Sequence, residues 1–127
     1  MAAVLPGTDL KDEYLVFTAH WDHFGIGTPI DGDSIYNGAS DNASGVATLM
    51  LLAKKYQSLP VHSRRSIVFV AVTSEECGLL GSQYYCEHPL FPLSKTAINL
   101  NLTARLRVSV PMIFLSGLRV RRIRMPW

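Results

Sequence analysis

The chain of 127 residues is 48% hydrophobic and 17% charged, a balance typical of one small globular domain with its own core. No apolar run reaches the roughly 18 residues that a membrane-spanning helix needs, so the sequence predicts no transmembrane segment. The first residues have neither the basic start nor the sustained apolar stretch of a signal peptide. Two cysteines, Cys77 and Cys86, are too few for a disulfide framework, and we expect both to be free thiols.

Charge is distributed unevenly along the chain. The formal net charge is +2, yet residues 1–102 contain six Lys and Arg against ten Asp and Glu, whereas residues 103–127 contain six Arg and no acid. This change predicts a boundary after residue 102. An Arg-rich tail can bind nucleic acid or a membrane surface. The abruptness of the change favours the alternative interpretation, that residues 103–127 are an out-of-frame or disordered end.

The first half of the chain predicts a strand, a loop and a helix. The strand covers Tyr14 to Ala19 and ends at His20. Residues 24–40 are rich in Gly, Asp, Asn and Ser, and we interpret them as a long loop of the kind that often carries function. From Asn42 to Ser58 the apolar residues recur at helical spacing, and Asn42 offers a capping group at the start.

The second half predicts a strand, a helix and another strand. Residues 66–73 form a continuous apolar run rich in valine, which indicates burial on both faces, as in a parallel sheet. Residues 78–87 are expected to be helical, and residues 97–102 form the third candidate strand. Alternation of strands and helices predicts an α/β fold with a mostly parallel central sheet.

Acidic and histidine side chains collect at the predicted strand ends. His20 and Asp22 follow the first strand, Glu75 and Glu76 follow the second, and Asp41 precedes the first helix. In open α/β sheets, ligands bind beyond the carboxyl ends of the strands, so these residues are expected to meet at one edge. Adjacent carboxylates at the edge of a core need a positive partner. Histidine with carboxylates is a plausible zinc set, for one or two ions.

Each motif also has a simpler explanation when it stands alone. A histidine at a strand end can be structural, "GASDNASG" can be a turn that caps a helix, and a Glu pair can be solvated. All three explanations would have to hold at the same edge of one sheet, and we therefore favour the metal site. Arg64 and Arg65 are not expected to neutralise the pair, because they precede the strand and should lie at its opposite end.

The motifs "AHWDHFG", "IYNGASDNASG" and "TSEECGLLGSQYY", in this order, resemble the zinc-dependent aminopeptidases with two co-catalytic metals. These are bacterial leucyl-aminopeptidase-like exopeptidases, related to glutamate carboxypeptidases and glutaminyl cyclases. The resemblance covers about residues 4–102 and implies that residues 1–102 form part of a three-layer α/β/α catalytic domain. It also implies a cis peptide bond after the bridging aspartate, between Asp41 and Asn42.

The same resemblance implies a role for each matching residue. His20 would bind the first zinc, Asp41 would bridge both ions, and Glu76 would bind the second. Glu75 would be the general base that acts on the activated water. Asp22 would orient His20. The remaining histidines, His23, His62 and His88, match no family role, and we expect them to be structural.

The sequence departs from the family at two ligands. The family has an Asp at the end of the following strand, where Asn101 or Thr103 stands here, depending on register. It also has a later His, but this chain has no His after His88 and no acid after Glu87. Each zinc would then keep two protein ligands, whereas catalytic zinc sites normally have three.

The resemblance implies a metal-dependent aminopeptidase that acts on peptides, with impaired activity in this chain. The alternatives are a non-catalytic remnant of the same scaffold and a module that binds nucleic acid or membranes through the Arg-rich tail. We rank the tail last and expect no nucleic-acid partner. The compartment is not determined by the sequence, although full-length relatives are often secreted or periplasmic.

Overall fold

A computed structural model describes residues 1–103 and the strand Leu118–Arg121. Within this part of the chain lie a short 3₁₀ helix, Leu93–Lys95, and an irregular turn, Ala39–Ala43. The strands and longer helices are β1 (Ala2–Leu5), β2 (Leu10–His20), β3 (Gly25–Ile30), β4 (Asp33–Tyr36), α1 (Ser44–Gln57), β5 (Arg65–Val72), α2 (Leu80–Glu87), β6 (Thr96–Leu102) and β7 (Leu118–Arg121). None of the described helices has the length and apolar character that crossing a membrane requires.

The main sheet has a parallel centre and antiparallel edges. Its strand order is β1-β5-β2-β6-β7. Strands β5 and β6 both run parallel to β2, which they flank, while β1 and β7 pair antiparallel at the two edges. The prediction of an α/β fold with a mostly parallel central sheet is therefore confirmed. The strand register pairs His20, the last residue of β2, with Val72, the last residue of β5. Both strands therefore end at the same edge of the sheet.

Helices cover both faces of the sheet, which gives three layers. On one face Phe17, Ile67 and Phe69 pack with Leu49 of α1. On the other face the valines of β2 and β5 form a second cluster, against which Tyr85 of α2 packs. Successive side chains of a strand point to opposite faces, so the apolar run in β5 supplies both clusters. Burial on both faces, as predicted for this strand, is confirmed.

The long loop predicted for residues 24–40 is wrong, because β3 and β4 form a separate two-stranded antiparallel sheet. Ile30 pairs with Asp33 across a two-residue turn of Asp31 and Gly32. Both turn residues have positive φ, 50° and 86°, as the favoured tight hairpin turns require. The Asp31-Gly32 pair was the available signal, and the polar composition around it obscured it.

Both helices begin two residues later than predicted. Helix α1 starts at Ser44 because Asp41 and Asn42 have non-helical backbone angles. The Asp41–Asn42 peptide bond is cis, as the family resemblance implies. Helix α2 starts at Leu80 because Gly78 and Leu79 have positive φ values of 95° and 66°, which an α-helix excludes.

Most of the Arg-rich tail lies outside the described residues. Its strand β7 pairs with β6, with Val120 opposite Leu100. The expectation that residues 103–127 are out of frame or disordered otherwise concerns residues that the structure does not describe. Cys77 and Cys86 are both free and exposed, as predicted.

Candidate metal centre

His20 ends β2 with its imidazole buried and only one of its two ring nitrogens hydrogen-bonded. Its side chain is 2% exposed. Nδ1 lies 3.1 Å from the backbone carbonyl oxygen of Asp22. Because a carbonyl oxygen only accepts, Nδ1 carries the proton and donates it. In the neutral ring the lone pair is then on Nε2, the usual arrangement of a histidine that binds a metal.

The free nitrogen of His20 faces a carboxylate of the next motif. Nε2 lies 3.0 Å from Asp41 Oδ1. Three buried side-chain atoms in the described part of the chain lack a hydrogen-bond partner, and these two are among them. Two acceptors facing each other repel unless a cation lies between them. Two ligands of a tetrahedral zinc, at bond lengths of about 2 Å, lie roughly 3.3 Å apart. The His20–Asp41 pair therefore fits a zinc ion.

Asn42 holds the turn that presents Asp41. The Asn42 side chain is 1% exposed, and Nδ2 donates to the carbonyl oxygens of His20 at 3.2 Å and of Leu102 at 3.0 Å. Its Oδ1 accepts from the backbone N–H of Gly45 at 3.1 Å. A Cβ at Gly45 would overlap the carbonyl oxygen of Leu102, so only glycine allows this approach. The sequence predicts only a capping role for Asn42, whereas the structure also links this side chain to β2 and β6.

Glu75 and Glu76 lie in a tight turn between β5 and α2. Gly78 and Leu79 donate their backbone N–H groups to the Glu75 carbonyl oxygen at 3.0 and 2.9 Å. A Cβ at Gly81 would overlap the carbonyl oxygen of Thr73, so the start of α2 packs directly on the end of β5. One ligand atom from each of His20, Glu75 and Glu76 lies within 4.8 Å of the other two. Residues from β2 and from the turn after β5 meet as predicted.

Asp22 joins the turns after β2 and β5. Its Oδ2 accepts from the backbone N–H of Glu75 at 3.0 Å. Its Oδ1 lies 3.8 Å from His20 Nδ1, further than the backbone oxygen of the same residue. In this structure the hydrogen bond to His20 therefore comes from the Asp22 main chain. The expected orienting role of the Asp22 carboxylate stays a prediction.

His23 was expected to be structural, and the structure places its ring beside the Glu76 carboxylate. Nδ1 lies 2.7 Å from Glu76 Oε1, with the two side chains 21% and 13% exposed. One ligand atom from each of His23, Asp41 and Glu76 lies within 4.8 Å of the others. The second His of "HWDH" is the sequence signal for this position, although it matches no family role. His62 and His88 are exposed, and neither belongs to these groups.

The arginines before β5 do not neutralise the acidic site, as the sequence predicts. Arg64 pairs with Asp9 at 2.7 Å, and Arg65 pairs with Glu13 at 2.8 Å, at the opposite end of β5 from Glu75. The hydrogen bond from Arg64 lowers the pKa of Asp9 to about 2. The positive partner of the site is therefore not a side chain from this end of the sheet.

Comparison with known proteins finds one matching family model and several similar chains. The model described as peptidase family M28 matches residues 1–121. Aminopeptidase YwaD of Bacillus subtilis is 39% identical over 66 residues, which cover 51% of this chain and 14% of that protein. A peptidase M28 precursor from Shewanella amazonensis, of known structure, is 33% identical with a TM-score of 0.65 over 77% of this chain and 20% of that one.

A second solved structure is that of BSAP, a zinc aminopeptidase from Bacillus subtilis. It is 31% identical with a TM-score of 0.59, over 77% of this chain and 22% of that chain. The present chain thus spans no more than 22% of the length of these similar proteins.

Proposed function

The chain belongs to peptidase family M28, and from this premise we propose that its site is the metal centre of a zinc-dependent aminopeptidase that removes N-terminal residues from peptides. The observation that carries the proposal is the unpartnered pair of acceptors, His20 Nε2 and Asp41 Oδ1, at 3.0 Å. The zinc aminopeptidase title of one similar structure supports the choice of metal.

Two zinc ions are proposed, sharing one carboxylate. His20 and Asp41 would hold one ion, and Asp41 with Glu76 would hold the other. A shared carboxylate offsets the repulsion between two cations roughly 3.5–4 Å apart. When bound, the zinc ions supply Lewis acidity towards a water molecule and the peptide carbonyl group.

Glu75 is proposed as the general base. Its carboxylate would take a proton from the attacking water and return it to the leaving amine nitrogen. The hydrogen bond from Glu75 N–H to Asp22 Oδ2, at 3.0 Å, keeps the main chain of this residue in place. His20 is oriented in turn by the Asp22 carbonyl oxygen, so one short segment positions both the base and a ligand.

Weak zinc binding and slow turnover are proposed for this chain. The residues that match family ligands give each ion two protein contacts. This sequence contains no His, Asp or Glu after residue 88. The same ligand count favours a second candidate, a non-catalytic member of the family that keeps the scaffold. Hydrolysis of aminoacyl anilides separates the two candidates, since only the enzyme releases the aniline.

Zinc binding to His20→Ala and Asp41→Asn variants tests the proposed site. Calorimetric titration should show zinc binding to the parent chain and loss of binding in both variants. Lys95→Ala is the control, because Lys95 is exposed and is the last residue of the short 3₁₀ helix, outside the three motifs. A parent chain that binds no zinc, or variants that bind it as tightly as the parent, would contradict the proposal.

A further inference from the structure

His23 lies beside the carboxylates of Asp41 and Glu76, and no family role accounts for this histidine. We propose that His23 is the third protein ligand of the zinc ion held by Asp41 and Glu76. The inference rests on the proposed zinc function of the site. It supplies, from within this chain, the ligand count that catalytic zinc sites normally have.

The donor atoms of these three residues are already close together. His23 Nδ1 lies 2.7 Å from Glu76 Oε1. One ligand atom from each of His23, Glu76 and Asp41 lies within 4.8 Å of the other two. Asp41 also reaches His20 Nε2, the buried and unpartnered nitrogen of the first ion's site. The second donor set is therefore joined to the first through Asp41, as a shared bridging ligand requires.

Packing fixes the His23 ring at this position. Gly38 has a φ of 64°, and a Cβ there would lie 2.7 Å from the Cβ of His23. The ring makes an edge contact with Phe24 at a centroid distance of 5.0 Å and lies 6.5 Å from Tyr36, at the end of β4. The β3–β4 hairpin and the turn after it thus hold the imidazole beside Glu76. Such preorganisation lowers the entropic cost of assembling a metal site.

If His23 binds zinc through Nδ1, zinc binding must remove the proton from this nitrogen, whereas a simple hydrogen bond to Glu76 requires no such change. A carboxylate only accepts hydrogen bonds, so a simple hydrogen bond from His23 to the Glu76 carboxylate, at 2.7 Å, would place the proton on Nδ1. A metal ligand must offer its lone pair, so on loading the proton leaves Nδ1 and the neutral ring carries it on Nε2. The separation of 2.7 Å would also open to the roughly 3.3 Å expected between two ligands of a tetrahedral zinc. If His23 only positions Glu76, Nδ1 keeps its proton.

The experiment compares zinc binding by the full chain with that of His23→Ala, His20→Ala and His62→Ala. The parent chain should show two classes of zinc site. His23→Ala should weaken one class by more than about 100-fold, beyond the 10–100-fold typical of residues that only orient ligands. His20→Ala should weaken the other class. His62→Ala, which removes an exposed histidine from outside both donor sets, should match the parent.

Nitrogen NMR of the His23 ring in the parent chain decides between ligation and positioning. The inference predicts that Nδ1 loses its proton when zinc is added. It is overturned if Nδ1 stays protonated in the loaded protein, or if His23→Ala keeps both classes of site while His20→Ala loses one. In those cases the proposed function survives. A parent chain that binds no zinc overturns both.

Discussion

Asn42 connects the carbonyl oxygens of His20 and Leu102, the last residues of two neighbouring strands. The chain leaves the sheet at these two points, and the Asn42 side chain fills the space between them at 1% exposure. The residue before it, Asp41, is thereby set against His20 Nε2 at 3.0 Å. The positions of the two candidate metal ligands, His20 and Asp41, thus depend on the buried side-chain amide of Asn42, which is not itself a candidate ligand.

Replacement of Asn42 by alanine should destabilise the fold. The change removes the buried Asn42 hydrogen bonds to two carbonyl oxygens and to the Gly45 N–H, which is expected to cost about 2–4 kcal/mol. Chemical denaturation measures the difference. Asn37→Ala is the control, because that exposed side chain makes one long hydrogen bond of 3.4 Å. Equal unfolding midpoints for the two variants would contradict the account.

Gly45→Ala should destabilise the protein although it replaces glycine in a helix. In an ordinary helix interior this change gains about 0.5–1 kcal/mol. Here the new Cβ would overlap the Leu102 carbonyl oxygen and the Asn42 side chain, so a net loss is expected. Ala47→Gly, at an exposed position of the same helix, should show the usual loss of about 1 kcal/mol and serves as the reference. A stabilised Gly45→Ala variant would show that the start of α1 does not pack as closely against Leu102 as the structure indicates.

Glu75→Gln and Glu76→Gln should have opposite effects on metal and on turnover. Glu76→Gln weakens a proposed zinc ligand, so zinc occupancy should fall. Glu75→Gln removes the proposed base, so occupancy should stay near that of the parent while any hydrolysis of aminoacyl anilides stops. Zinc content by atomic absorption and aniline release give both readouts. The reverse pattern, metal lost with Glu75→Gln and kept with Glu76→Gln, would exchange the two roles.

Thr103→Asp should strengthen zinc binding at His20. Thr18 pairs with Asn101, and continuing this register by two residues places Thr103 level with His20, on the same face of the sheet. A new ligand there should tighten binding by at least about tenfold, since even residues that only orient a ligand change affinity by that much. Titration calorimetry measures it.

Asn101→Asp is the matched control for Thr103→Asp. The Asn101 side-chain oxygen lies 3.3 Å from the Thr18 hydroxyl. Position 101 is two residues before position 103 along the chain and therefore further from the metal site. Little gain in zinc affinity is expected from it. A larger gain with Asn101→Asp than with Thr103→Asp would show that the missing family ligand belongs at position 101.

Much of the fold could be predicted from the sequence because local patterns and the global structure agree. The apolar run of β5 indicated burial on both faces, and helices from both sides cover it. The hairpin of residues 25–36 was missed because β3 is exposed along its whole length and neither strand shows apolar alternation. Its one clear signal, Asp31-Gly32, is a matter of turn geometry rather than of hydrophobicity.

The site could be predicted in part, for a different reason. His20, Asp41, Glu75 and Glu76 were predicted to lie together because strand ends meet at one edge and because the motifs resemble a family, and the structure brings them together. The contacts of Asn42 and His23 were not predicted, since their positions depend on how two turns pack against each other. No spacing rule along the chain gives the 2.7 Å between His23 Nδ1 and Glu76 Oε1.

Nitrogen NMR of the His20 ring, recorded while zinc is added, tests the proposed metal site most directly. Nδ1 should carry the proton throughout, donated to the Asp22 carbonyl oxygen, and the Nε2 resonance should move from that of a free lone pair to that of a metal ligand as zinc binds. A proton on Nε2, donated to Asp41 Oδ1 and unchanged by zinc, would explain the 3.0 Å contact without any metal and would contradict the proposed zinc site.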